Sequence, residues 1–315
     1  MKFNFENYNK FAMPKHKNEI NKDFLTWLIG FFEGDGYITE WYEKGRYRLR
    51  IGIGQKDPCL LYKLRSEIGF GRITYRASKL IKNNEKNEFW DYHIEDILNL
   101  SRFISLLNGN LVLDKRKDQF HKMLINWNRA HPDQSVDFIQ KTITFDLSDG
   151  WLSGFSEAEA GFDGNWTRDF RNQTYADGSQ RYAIKLKFYL TQKLSSNDQF
   201  LYYVANLFDV LKPRIYTLQN VRYNDDSNEH FIFSRLELST SKSHDKLLQY
   251  FTNFPLKGHR RFQYQRFKIL RRRQLIRGSC IPSEKVAKRT ARLLISFVNS
   301  RKTRELQKGQ WLIEE

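Results

Sequence analysis

The chain has 315 residues, 40% of them hydrophobic and 15% aromatic, enough for two domains with sizeable cores. Lys and Arg number 53 against 36 acids, a formal charge of +17 that repels itself unless it meets a polyanion. Nucleic acid therefore leads the candidate partners, with an anionic membrane surface second. Two distant cysteines, Cys59 and Cys280, and seven histidines without an HxH or HxxxH pair argue against a disulfide framework and a zinc-type site. Hard cations held by oxygen ligands stay open.

Residues 1–20 are polar with scattered aromatics and lack a signal-peptide apolar run. No stretch of 18 apolar residues occurs anywhere, so no membrane partner is expected. The abundance of Asn, Lys, Phe, Tyr and Ile matches AT-rich coding, which points to an organelle, the mitochondrion ahead of the chloroplast.

The first periodic segment, "FLTWLIGFFEGDGYI", reads as a helix in which Thr26, Gly30 and Gly34 fall at i, i+4 and i+8. Next comes "GRYRLRIGIGQKD", a strand of alternating character ending in Gln55-Lys56, then an amphipathic helix and a basic strand. "NLVLDKRKDQFHKML" opens a basic helix, and residues 128–145, with Pro132, form a linker. The order then repeats. "LSDGWLSGFSEAEAGF" sets Gly150, Gly154 and Ala158 in the same register, Gln192-Lys193 closes the matching strand, and "FPLKGHRRFQYQRFKIL" supplies the second basic helix. Boundaries are drawn at 21–127 for the first half, 146–275 for the second and 276–315 for a basic tail. In the tail, Ser283 is expected to cap a helix with Val286, Leu293, Leu294 and Phe297 on one stripe.

Each half reads helix, two strands, helix, two strands, helix: an α+β unit on an antiparallel sheet. A ridge of small side chains in each opening helix lets the two backbones approach closely. Packed parallel, the helices bring Asp35 and Glu159 together at one end of the seam. Acids are disfavoured at a helix C-terminus, and two of them side by side repel unless a cation lies between. Mg²⁺, commonly held by carboxylates and phosphate oxygens, fits that position. Glu33 and Glu157 lie about 200° round the helix and are expected to cap or pair instead.

With these motifs in place, "LIGFFEGDG" and "LSGFSEAEA" resemble the two signature helices of the LAGLIDADG homing endonucleases, in their single-chain, two-motif form. The resemblance spans roughly residues 24–275. It implies two pseudo-symmetric αββαββα halves with saddle-shaped antiparallel sheets, packed through the signature helices. It also implies that the last acid of each motif, Asp35 and Glu159, binds the divalent metal and is catalytic. Gln55 and Gln192 would support the catalytic water. Lys115 stands where the family often places a lysine, with His259 as its counterpart. Ala160 replaces the closing glycine, so the second helix is expected to run one residue longer and displace Glu159.

Strand alternation puts Arg46, Arg48 and Arg50 on one face, with Arg72 and Arg76 from a third strand. The second half offers Arg181, Lys185, Lys187, Arg214 and Arg222. Such faces suit the major groove, where Arg reads guanine. "GHRRFQYQRFKILRRR" (258–273) is expected on backbone phosphates. The reading is a monomeric, Mg²⁺-dependent, site-specific nuclease of double-stranded DNA. Its alternatives are a maturase that binds intron RNA, and a catalytically degenerate binding or structural protein.

Overall fold

The computed structural model describes residues 1–12, 14, 16–17, 19–79, 86–168, 182–193, 199–224, 227–277 and 284–295. A short α1 (Glu6–Asn9) precedes α2 (Lys22–Asp35), β1 (Gly36–Glu43), β2 (Arg46–Gln55), α3 (Pro58–Ile68), β3 (Arg72–Lys79), β4 (Lys86–Ile94), α4 (Ile97–Leu107) and α5 (Asp114–Ala130). The series recurs as α6 (Trp151–Glu159), β5 (Ala160–Arg168), β6 (Tyr182–Lys193), α7 (Gln199–Leu207), β7 (Arg214–Asn224), β8 (Ser227–Leu238), α8 (Ser241–Asn253) and α9 (Arg260–Arg277), with α10 (Glu284–Ile295) added. Each half ends in two helices, where the sequence pattern suggested one. No helix among the described residues is long and apolar enough to cross a membrane.

The two sheets share one order, β1-β2-β4-β3 and β5-β6-β8-β7, and every pairing is antiparallel. Local chemistry sets the boundaries. Lys44 and Gly45 both take positive φ, giving β1 and β2 the tight turn that matches strand twist. Asn21, Asp57 and Asp96 cap α2, α3 and α4 by accepting from Asp23 N, Cys59 N and Asn99 N. Asp149 does the same for α6, taking the Trp151 N–H at 2.9 Å.

Contacts group the chain into two compact units, Met1–Glu159 with Phe254–His259, and Ala160–Asn253 with Arg260–Glu315. In the first, Leu28, Ile29, Phe32, Ile51, Ile53 and Phe103 are fully buried between sheet and helices. Phe3, Phe5 and Tyr8 of the N-terminal extension join this core, and Asn4 and Asn110 exchange bonds of 2.8 and 2.7 Å. In the second, Phe162 is ringed by Phe188, Phe251, Tyr264 and Phe267 at 5.2–5.9 Å between centroids. In α10, Leu294 and Thr290 are buried, Thr290 accepting from Arg273 at 2.9 Å; Ser283 and Phe297 lie outside the described residues.

One expectation is overturned. The second signature helix does not run longer: α6 ends at Glu159 as α2 ends at Asp35, and Ala160 already pairs with Leu190 in the sheet. Nor is Gly36 left-handed, with φ −72° and ψ 155°. Its glycine answers crowding, since a Cβ there would press into the Phe32 ring and carbonyl. In the second copy the crowding moves one residue on, where a Cβ on Gly161 would meet the Tyr189 ring.

Candidate active site

α2 and α6 run parallel with their backbones in contact. A Cβ on Gly150 would lie 2.8 Å from the Asp23 oxygen, one on Gly154 would be 2.8 Å from the Phe31 nitrogen, and one on Gly30 would be 2.9 Å from the Phe155 nitrogen. Gly30 faces the Trp151 carbonyl and Gly154 the Trp27 carbonyl, so the approach is reciprocal. Buried Thr26 turns its hydroxyl back to Lys22 O at 3.0 Å. At the far end Gly34 meets Ala158, and the Glu159 Cγ is 3.5 Å from where a Gly34 Cβ would stand. Glu159 therefore sits beside Gly34-Asp35, each acid the last residue of its helix and half-buried.

Two side chains tie into this corner. Gln55 shares the strand parity of the buried Leu49, Ile51 and Ile53, so it points to the helix side of the sheet, where its Nε2 donates to Asp35 Oδ2 at 2.5 Å. Arg116, at the start of α5, donates to the carbonyls of Glu33 (2.9 Å) and Gly34 (3.1 Å), the open end of α2. Burial pushes its guanidinium below the usual range, while the carboxylates of Glu33, Glu159 and Asp35 pull it back up. Arg116 escaped the sequence reading, which chose its neighbour Lys115; the signal was the same "LDKRK". Lys115 and His259 lie exposed, and Gln192 Nε2 donates to the Thr191 carbonyl at 3.4 Å.

The other two acids of the motifs are structural. Buried Glu33 accepts from Val112 N (2.9 Å) and Leu113 N (2.7 Å) at the head of α5, and from Trp151 Nε1 (2.7 Å) across the seam. Burial pushes its carboxyl up to about 7, against the pull of the Leu113, Trp151 and Val112 bonds. Glu157 repeats the device with the N–H groups of Lys257 and Gly258, the latter at 2.8 Å.

Among the described residues no group of three or more His, Cys, Asp and Glu gathers as a cage. Asp35 and Glu159 offer two carboxylates and nothing softer. That donor set fits Mg²⁺, which keeps waters and completes its shell with phosphate oxygens.

On the opposite face of the first sheet, Arg46, Arg48, Arg50, Arg72 and Arg76 share one parity and fall on registered positions across β2, β4 and β3. Several are already paired: Arg48 with Glu43 at 3.3 Å, Arg76 with Asp91 at 2.9 Å, and Arg50 with Glu95 while lying over Trp41. In the second sheet Lys187 meets Glu237 at 3.0 Å, Arg214 reaches the same acid at 3.6 Å, and Lys185 is exposed. Arg235, stacked on Tyr189 at 4.4 Å, joins them from β8 unannounced by the sequence pattern. Arg181 and the side chain of Arg222 lie outside the described residues.

A sequence profile described as LAGLIDADG endonuclease matches residues 152–270. "Probable intron-encoded endonuclease 4" of Neurospora crassa is 28% identical over 242 residues, 76% of this chain and 38% of that protein. "Intron-encoded RNA maturase bI4" of Saccharomyces cerevisiae is 24% identical over 276 residues, 85% of this chain and 36% of that one. The chain thus spans about two fifths of the length of these relatives. "Probable intron-encoded endonuclease aI3" of Dictyostelium citrinum is 25% identical over 281 residues, and 99% of it is covered. Among solved structures, the LAGLIDADG meganuclease I-CpaMI bound to uncleaved DNA superposes with a TM-score of 0.60 at 17% identity, covering 90% of this chain and 99% of that one. The I-LtrWI LAGLIDADG homing endonuclease bound to target DNA gives 0.60 at 16%, covering 89% and 99%. At those identities the likeness establishes the fold. Fold and seam together define a single-chain protein with two signature helices. Residues 152–270 match the LAGLIDADG endonuclease family, and the fold is that of the LAGLIDADG meganucleases.

Proposed function

We propose that this chain cuts both strands of a specific DNA site by hydrolysing one phosphodiester per strand, with Asp35 and Glu159 as the metal-holding acids. The observation that carries it is the meeting of the two helix-terminal acids with Gln55 and Arg116 at one end of a glycine seam. A fold gains nothing from acids at the negative pole of two adjacent helices. Mg²⁺ bound there would polarise the phosphodiester and supply an activated water. Gln55 holds Asp35 in one orientation. Arg116 caps α2 and offsets the negative charge of the corner where a phosphate would sit. Lys115, His259 and Gln192 are proposed to join when DNA is bound.

The arginine- and lysine-bearing strand faces, one per half (21–127 and 146–275), are proposed to read the two half-sites in the major groove. Both acids come from one chain, which supports a monomer. The intron-encoded names of the relatives support an organelle, the mitochondrion first. A maturase role is the second reading, favoured by the likeness to an RNA maturase over 85% of this chain. Selection of cleaved molecules from a randomised duplex library, with Mg²⁺ or with EDTA, tests the first reading: one enriched site should appear with Mg²⁺ alone, and recovery of no site contradicts it.

A further inference from the structure

Gln55 and Gln192 close matching strands, yet their amides are held differently. Gln55 Nε2 donates to Asp35 Oδ2 at 2.5 Å, whereas Gln192 Nε2 donates to the carbonyl of its own neighbour Thr191 at 3.4 Å. The backbone does not account for this, because both glutamines occupy the same place in the same ladder. In the first sheet Gln55 pairs with Trp90, and Trp90 with Tyr75. In the second, Gln192 pairs with Ser234, and Ser234 with Thr217. Each row continues the parity of buried strand residues, Ile53 and Tyr92 in one sheet, Leu190 and Leu236 in the other. Both rows therefore lie on the helix side.

What differs is the neighbour. Directly opposed residues on one face have Cβ atoms about 4.5–5.5 Å apart, so an indole stands beside Gln55 where a hydroxymethyl group stands beside Gln192. Trp90 is half-buried and walled in by rings, with Tyr75 at 5.2 Å and Tyr62 of α3 at 6.3 Å between centroids. Tyr62 and Tyr75 are each 49% exposed. The fold does not require this rim of rings, since the second sheet makes the same pairings with Ser234 and Thr217. A glutamine side chain has much rotamer freedom to lose on being fixed, and a rigid neighbour removes part of that freedom in advance.

We propose that Trp90 is a positioning residue: it holds the Gln55 amide against Asp35 before DNA arrives, so the strand served by Gln55 is cut first and the strand served by Gln192 second. This rests on the cutting reading and goes beyond it by ordering the two cuts. Each cut adds one water across one P–O bond, leaving a phosphate on one end and a hydroxyl on the other, so no further reactant is needed. Between the cuts the chain holds a nicked duplex.

The first measurement needs no cutting. In the metal-free full chain with isotope-labelled glutamine, the Gln55 side-chain amide should give a shifted resonance that exchanges slowly with solvent, and the Gln192 amide a solvent-averaged one. Trp90→Ser should make the Gln55 resonance resemble that of Gln192, while Trp90→Phe, which keeps a ring, should preserve it. The second measurement follows both end-labelled strands of the selected site in Mg²⁺. In wild type, nicked duplex should build up before the double cut. Trp90→Ser should slow the first cut by about tenfold, while the second, measured on a duplex already nicked in the first strand, stays within about twofold. Equal rates on the two strands in wild type overturn the proposal. So does a Trp90→Ser variant that slows both cuts alike, the mark of a merely structural ring, or one that leaves the Gln55 amide unchanged. If wild type cuts neither strand, the cutting reading falls and the order of cuts with it, while the amide comparison still decides the positioning.

Discussion

The indole Nε1 of Trp151 donates to Glu33 Oε2 at 2.7 Å, joining the first residue of α6 to the third-last residue of α2 through a fully buried bond. The other carboxylate oxygen takes the two N–H groups that open α5. One acid thus binds both signature helices and the helix that carries Arg116. Replacing Glu33 with Ala would leave one buried and two part-buried donors unmatched, the buried one worth about 1–3 kcal/mol. Urea denaturation should show a loss of several kcal/mol, and Glu33→Gln a smaller one.

The same acid makes stability depend on pH. Burial raises the Glu33 carboxyl to about 7 from an ordinary value near 4.5, and Asp149 is raised to about 6, also by burial. The folded state therefore keeps protons that the unfolded chain releases. Their stabilising effect is complete below about 4 and is lost as pH rises through 6 to 7, by up to about 3 kcal/mol for Glu33. Melting curves across that range should show stability falling with pH, with a flatter profile in Glu33→Gln.

Gly30→Ala and Gly154→Ala each drive a methyl into a backbone carbonyl of the partner helix, which cannot swing aside. Each should cost about 3 kcal/mol or more. Gly34→Ala meets the Ala158 side chain and Glu159 Cγ instead. The Ala158 Cβ is fixed to its backbone and cannot swing aside, so this change should lower stability as well as the cutting rate, since it also shifts the acid itself.

Arg116→Lys keeps the charge but not the fork that spans the Glu33 and Gly34 carbonyls. Cleavage should fall by about 100-fold at saturating DNA. Lys115→Ala, at an exposed position one step along the helix, is expected to lose less than the Arg116 change. Competing rates for the two variants on one substrate settle which basic residue serves the corner.

The duplication, the small-residue ridges and the acids that end them were legible because each is periodic, and a period survives without knowledge of packing. Gln55 was legible for the same reason, as a strand end in the register of a buried face. What escaped was set by single-residue rotation. One step along a helix turns a side chain by about 100°, so "LDKRK" names the basic cluster without telling Lys115 from Arg116. A glycine after a helix commonly forms a left-handed cap, but Gly36 is extended, and its lack of a side chain answers the Phe32 ring instead. Arg235 carries no motif, and only the β6–β8 register puts it beside Thr191, whose Oγ1 it reaches at 2.9 Å.

The most direct test of the central claim is the cutting rate of the purified chain on its selected site in Mg²⁺, for wild type, Asp35→Asn and Glu159→Gln, at DNA concentrations that saturate binding. Each isosteric change should lower the rate by at least about 100-fold with DNA affinity preserved. Cutting that persists in both variants would contradict a metal held between these two acids.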